Sequence, residues 1–145
     1  MAAASPERPG RQEALPGNGE RILLVEDEPT LAKMSERRLE ALNYRVSIDT
    51  DAPRALETFR ARPDDFDLVI SDYLMPRMVG LDFARAVHNI RPDLPIILLT
   101  GYIEELPDET IRAAGVRRLI NKPATIEELS QAVHDVLAGA RVGAA

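Results

Sequence analysis

The chain has 145 residues, 45% of them hydrophobic and 29% charged, with no cysteine and a net charge of −6 at pH 7. That is enough for one ordinary folded unit and not for two, and the acidic balance argues against a general nucleic-acid binder, which shows a basic face. Disulfides and thiolate metal sites are excluded, and the longest apolar runs, residues 22–25 and 96–99, are far too short to cross a bilayer.

Residues 1–20 carry three prolines (Pro6, Pro9, Pro16), three glycines (Gly10, Gly17, Gly19) and scattered charges, with Leu15 the only large aliphatic after Met1. Such a segment buries too little surface to offset its ordering entropy, so it is expected to be a flexible linker. It also lacks the apolar centre of a signal peptide, which makes a cytoplasmic location the expectation. From Arg21 a strand–helix alternation begins. Ile22-Leu23-Leu24-Val25 is a continuous apolar run, as expected of a strand covered on both faces. It runs into Glu26-Asp27-Glu28-Pro29, and Pro29 suits the first turn of a helix. Leu31, Met34, Leu39 and Leu42 cluster within one arc of that helix. Val46 and Ile48 alternate with polar residues, which predicts an edge strand. A second helix is expected over 52–62, built on Ala55, Leu56 and Phe59 and stopped by Pro63.

Leu68-Val69-Ile70-Ser71 reads as a buried strand, with Asp72 where that strand runs out. A loop containing Pro76 follows, and Gly80 opens a helix whose Phe83, Ala84, Val87 and Ile90 share a face. Arg91-Pro92-Asp93 ends it. Pro95-Ile96-Ile97-Leu98-Leu99-Thr100 is the fourth strand. A short helix over 108–114 ends at Gly115, a suitable residue for the turn out of a helix. Leu119-Ile120-Asn121 is a brief fifth strand leading into Lys122-Pro123. Thr125-x-x-Glu128 forms a capping box, and Ile126, Leu129, Val133, Val136 and Leu137 line one side of the last helix.

Five β–α units predict an α/β domain over residues 21–139, with 140–145 as a disordered tail. Right-handed crossovers make it a flavodoxin-like (βα)5 doubly wound sandwich around a parallel five-stranded sheet of order 2-1-3-4-5. In that order the ends of strands one, three, four and five lie side by side, presenting Glu26 and Asp27, Asp72, Thr100 and Lys122. Three carboxylates so close resist full ionisation unless a cation joins them. Mg²⁺ suits the set, because it is a hard ion that uses one or two carboxylates, keeps waters and bridges to phosphate oxygens. Lys122 can pair with Asp72 and then with an incoming phosphoryl oxygen, and Thr100 offers a hydroxyl to another. Phosphoryl transfer demands mainly positioning and charge neutralisation, so the inventory points to Asp72 as a carboxylate nucleophile that accepts a phosphoryl group.

At these positions the sequence resembles the receiver (phosphoacceptor) domain of two-component response regulators. The resemblance rests on Leu24-Val25-Glu26-Asp27-Glu28-Pro29, on Ser71-Asp72-Tyr73-Leu74-Met75-Pro76 with Gly80, on Leu99-Thr100-Gly101 and on Asn121-Lys122-Pro123, in that order. It implies that Asp72 takes the phosphoryl group from a phosphohistidine on a sensor histidine kinase. It implies Asp27 as a direct Mg²⁺ ligand, Glu26 as a ligand through water, the backbone carbonyl of Leu74 as a further ligand, and Thr100 and Lys122 on the phosphoryl oxygens. A cis Lys122–Pro123 peptide is expected on the same ground. Gly17-x-Gly19-Glu20-Arg21, Arg91-Pro92-Asp93-Leu94-Pro95 and Gly115-Val116-Arg117-Arg118 are similar to the C-terminal receivers of hybrid sensor kinases. The kinase would therefore act in cis or in trans, with a histidine phosphotransfer protein as a further partner and output through protein contact. No nucleic-acid or membrane contact is expected of the domain itself.

Two positions depart from the family pattern. Leu119 stands where an aromatic often reports phosphorylation; Tyr102, two residues after Thr100, could partly take over that role or could cover the site. Glu26 stands where aspartate is commoner. A hydrolase of the haloacid-dehalogenase type would need a second acid two residues after Asp72, where this chain has Leu74. A flavodoxin-like phosphate loop would meet Glu26-Asp27-Glu28, which repels phosphate. The expectation is a signalling domain that catalyses only its own phosphorylation and dephosphorylation. His88 and His134 have no second ligand near them in sequence and are read as structural.

Overall fold

The computed structural model describes residues 14–101 and 107–144. Among them lie β1 (Arg21–Val25), α1 (Pro29–Ala41), β2 (Arg45–Asp49), α2 (Ala52–Ala61), β3 (Leu68–Asp72), α3 (Gly80–Ile90), β4 (Ile96–Thr100), α4 (Asp108–Ala113), β5 (Val116–Asn121) and α5 (Ile126–Ala144), with a 3-10 turn at Pro63–Asp65. All pairings are parallel and the strand order is β2-β1-β3-β4-β5. This is the flavodoxin-like order expected from the sequence.

The apolar runs of β1, β3 and β4 feed two cores at once. Leu23, Val25, Val69, Ile96 and Leu98 face α2, α3 and α4, where Phe59, Phe83 and Val87 are buried. Ile22, Leu24, Leu68, Ile70 and Ile97 face α1 and α5, where Leu39, Leu129, Val133 and Leu137 close over them. Each of these large side chains contributes about 1.5–3 kcal/mol by leaving water. That two-sided burial holds the strand ends in place. Helix starts are set by local chemistry: Asp51 accepts the Arg54 amide at 3.0 Å ahead of α2. At α5, Thr125 and Glu128 cap each other reciprocally at 2.9 and 3.0 Å.

Two expectations need adjusting. In α1 the buried residues are Ala32 and Leu39, whereas Leu31 and Met34 are each 41% exposed; small Ala32 lets the helix lie close to the sheet, which turns the larger pair outward. β5 begins at Val116, before the expected Leu119, because Arg117 and Arg118 lie exposed on an edge strand and mask its pattern. The last helix, α5, spans Ile126–Ala144.

The last part of the expected linker also touches the domain. Gly17 donates its amide to Leu42 O and Gly19 to Asn43 O, both at 2.7 Å, while Asn43 Nδ2 donates back to Gly17 O at 2.9 Å. The Leu15 amide reaches Ser130 Oγ on α5 at 3.1 Å. The Tyr44 ring packs so closely on Gly17 that a side chain there would overlap it.

Candidate functional site

Side-by-side strand ends bring together the residues singled out from the sequence. Glu26 follows β1, Asp72 ends β3, Thr100 ends β4, and Lys122 follows β5. Carboxylate oxygens of Glu26, Asp27 and Asp72 all lie within 4.8 Å of one another. Glu26 and Asp72 are buried, at 6% and 3% exposure, and Asp27 is the most open of the three. Lys122 Nζ donates to Asp72 Oδ1 at 3.0 Å and to Glu26 Oε1 at 3.3 Å. Thr100 is buried at 4% exposure. Its carbonyl accepts the Lys122 amide at 2.7 Å, so the hydroxyl-bearing residue and the ammonium-bearing residue are tied through the backbone.

Asp72 is held by its main chain. The Tyr73 amide donates to Leu99 O, and the Gly80 amide donates to Tyr73 O, both at 2.7 Å. Gly80 lies so close that a Cβ would overlap the Asp72 carbonyl oxygen and the Tyr73 backbone. In the intervening loop Leu74 is 58% exposed and Arg77 adopts φ 74°. Arg77 Nη1 reaches Asp51 Oδ1 at 3.4 Å, which ties this loop to the start of α2. The Lys122–Pro123 peptide is cis, as the family pattern implies.

Burial, followed by the hydrogen bond and charge of Glu26, pushes the Asp72 carboxyl up to about 8, against which Lys122 pulls it down. For Glu26, burial is the largest influence and acts upward. The hydrogen bond with Asp72, the Glu28 amide and Lys122 outweigh it and hold Glu26 below the usual carboxylate range. Burial alone would lower Lys122, but its contacts with Asp72 and Glu26 raise it. Opposite shifts of two neighbouring buried acids predict that, with no cation present, one proton stays between them on the Asp72 side. A hard divalent cation fits this set, which offers three oxygen donors, one of them more open to solvent.

Glu26 lies deeper and in contact with Lys122, while Asp27 is the more open of the two neighbouring acids. The tight approach of Gly80 to Asp72 was missed as a constraint on the site; its signal was a glycine at the start of a helix, where no turn needed one. Leu119 is partly buried against the α2–α3 core. Tyr102 lies outside the described residues. His88 packs on Gly115 with Nδ1 buried and unpartnered, and His134 lies 4.0 Å from Asp135, both away from the acids.

A family model described as the response regulator receiver domain matches residues 22–134. The two-component response regulator ARR12 of Arabidopsis thaliana is 36% identical over 113 residues, which cover 77% of this chain and 18% of that protein. The sensor kinase CckA of Brucella abortus is 29% identical over 116 residues, covering 80% of this chain and 12% of the kinase. This chain thus spans less than a fifth of either relative. Among solved structures, response regulator TrrA of Thermotoga maritima, in complex with Mg²⁺ and BeF, superimposes with a TM-score of 0.73 at 30% identity. That match covers 81% of this chain and 98% of the other. Among the described residues no helix is long and apolar enough to cross a membrane.

Proposed function

The chain belongs to the response regulator receiver domain family of two-component signalling, and on that premise we propose that Asp72 is its phosphoacceptor, charged in a Mg²⁺-dependent transfer from a kinase phosphohistidine. The observation that carries the reading is Lys122 Nζ, 3.0 Å from Asp72 Oδ1 at the edge of a three-carboxylate cluster. Glu26, Asp27, Asp72 and the Leu74 carbonyl would hold the ion. When bound, Mg²⁺ supplies the positive charge that keeps Asp72 ionised and neutralises phosphoryl oxygens.

The chain's own groups do the rest. An ionised Asp72 oxygen forms the new O–P bond as the P–N bond of the phosphohistidine breaks, its electron pair passing to the imidazole. Lys122, freed from the carboxylate it held, follows the transferred group and takes one equatorial oxygen. Thr100, on the neighbouring strand, takes another through its hydroxyl. Burial of Asp72 limits water at the reacting oxygen, and the clamped main chain at Tyr73 and Gly80 holds the residue in place.

The partner is a sensor histidine kinase, in cis or in trans, with a histidine phosphotransfer protein as a second acceptor. Output passes through protein contact, and the setting is cytoplasmic. The domain turns over no substrate beyond its own aspartyl phosphate. Incubation with acetyl phosphate and Mg²⁺, followed by intact mass spectrometry, tests the assignment: wild type gains one phosphoryl mass and Asp72→Asn gains none. Equal labelling of both proteins, or an unlabelled wild type, overturns it.

A further inference from the structure

Among the described residues β2 is an edge strand, with β1 on one side and no strand on the other. The Arg45 amide donates to Glu20 O at 2.9 Å, and Asp49 O accepts the Glu26 amide at 3.1 Å. Residues 45, 47 and 49 thus use their backbone groups toward β1. By alternation, the N–H and C=O of Val46 and Ile48 point out of the sheet. Folded proteins blunt such an edge with bulges, charges or proline. The opposite edge is blunted in this way: β5 has a register shift opposite Ile96 and Ile97, and it carries Arg117 and Arg118. β2 pairs with β1 in unbroken register and contains no proline. A cavity of about 890 Å³ opens beside its first three residues, lined also by Glu40 of α1, Thr58 of α2 and Arg62.

The strand Arg45-Val46-Ser47-Ile48-Asp49 is complementary to itself when reversed. Laid antiparallel on a second copy, with the two-fold axis at Ser47, each Arg45 faces Asp49 of the other copy and each Val46 faces Ile48. The outward-pointing backbone groups then fall on the hydrogen-bonded pairs, as an antiparallel ladder requires. A one-residue slip would aim them at groups already used by β1. Opposite charges meet on one face and aliphatic side chains on the other. Asp49 is already ordered, accepting the Asp51 amide at 3.0 Å and pairing with Arg54 at 2.8 Å. A guanidinium arriving from the second copy would therefore meet a fixed carboxylate.

From this complementarity we infer that β2 is a self-pairing edge, through which two copies of the domain join into one continuous sheet. The partner at this edge is the β2 strand of the second copy. One added strand with its flanking side chains buries less than a standard stable interface, about 1,600 Å². The association is accordingly weak and concentration-dependent.

Sedimentation velocity from about 10 µM to about 500 µM, the range suited to so small an interface, is combined with amide hydrogen exchange on the wild type. The dimer fraction is expected to rise with concentration. Protection of the Val46 and Ile48 amides rises with it, while the Ser47 amide, bonded to β1, is protected throughout. Arg45→Glu and Asp49→Arg are each expected to be monomeric, since like charges then face each other at both ends. An equimolar mixture restores the dimer, because every facing pair is again opposite in sign. A wild type monomeric throughout overturns the inference, as does a dimer that leaves Val46 and Ile48 unprotected. So does a mixture of folded variants that fails to associate. If Asp49→Arg does not fold, the wild-type exchange pattern decides alone.

Discussion

Raising the pH of the metal-free protein titrates the proton shared by the two buried acids, and stability reports it. Asp72 moves from an ordinary 3.8 to about 8 in the fold. The folded chain therefore keeps a proton that the unfolded chain releases, and this stabilising contribution is complete below about pH 4 and lost as the pH rises through about 8. Glu26 is shifted the other way, so its stabilising contribution is lost only in acid, below the window; Lys122, shifted upward, titrates above it. Between pH 5 and 8 the slope belongs to Asp72, with a ceiling of about 1.4 kcal/mol per pH unit. Water entering the pocket and movement of the half-exposed Lys122 reduce this, leaving about 2 kcal/mol over the window. For a domain of this size that amounts to about 7 °C in melting temperature. Urea unfolding at fixed pH in EDTA is expected to show the decline. Saturating Mg²⁺, which replaces the proton, flattens it, and Asp72→Asn lacks it in either condition. A variant that reproduces the wild-type slope, or a wild type whose stability holds level from pH 5 to 8, refutes the shared-proton account.

Gly80→Ala sets a methyl group against the Asp72 carbonyl oxygen and the Tyr73 backbone, neither of which can yield; a loss of about 2–3 kcal/mol in urea unfolding is expected, with slower acetyl phosphate labelling. Lys122→Met removes the cation that competes for Glu26 and Asp72 at 3.3 and 3.0 Å, so calorimetric Mg²⁺ affinity should rise while labelling falls by about tenfold or more. Thr125→Ala opens the reciprocal cap of α5 and should cost about 1 kcal/mol in thermal unfolding without altering labelling.

Much of the architecture is written in runs of three to five apolar residues. β1, β3 and β4 are covered on both faces, and such strands need uninterrupted aliphatic side chains. Once their order is known, Glu26, Asp72, Thr100 and Lys122 must converge. Features that depend on which way a side chain leans are not legible in this way. Glu26 and Asp27 are adjacent acids, and only the last bend of β1 decides which is buried beside Asp72. In α1, Leu31 and Met34 look like core because periodicity counts size, whereas the docking face is chosen by how closely Ala32 can approach the sheet. Arg117 and Arg118 concealed the first half of β5, since an edge strand can carry long charged side chains that a central one cannot.

With its amide neighbour fixed to β4 and its carbonyl wedged against Gly80, the main chain of Asp72 has almost no play. Were a dianionic phosphoryl group to sit on its side chain, recoil of β3 would not accommodate it. The strain would run sideways, toward Thr100 and Lys122. The wedge would then act as an anvil: by refusing to move, it would decide which flank of the molecule carries the news.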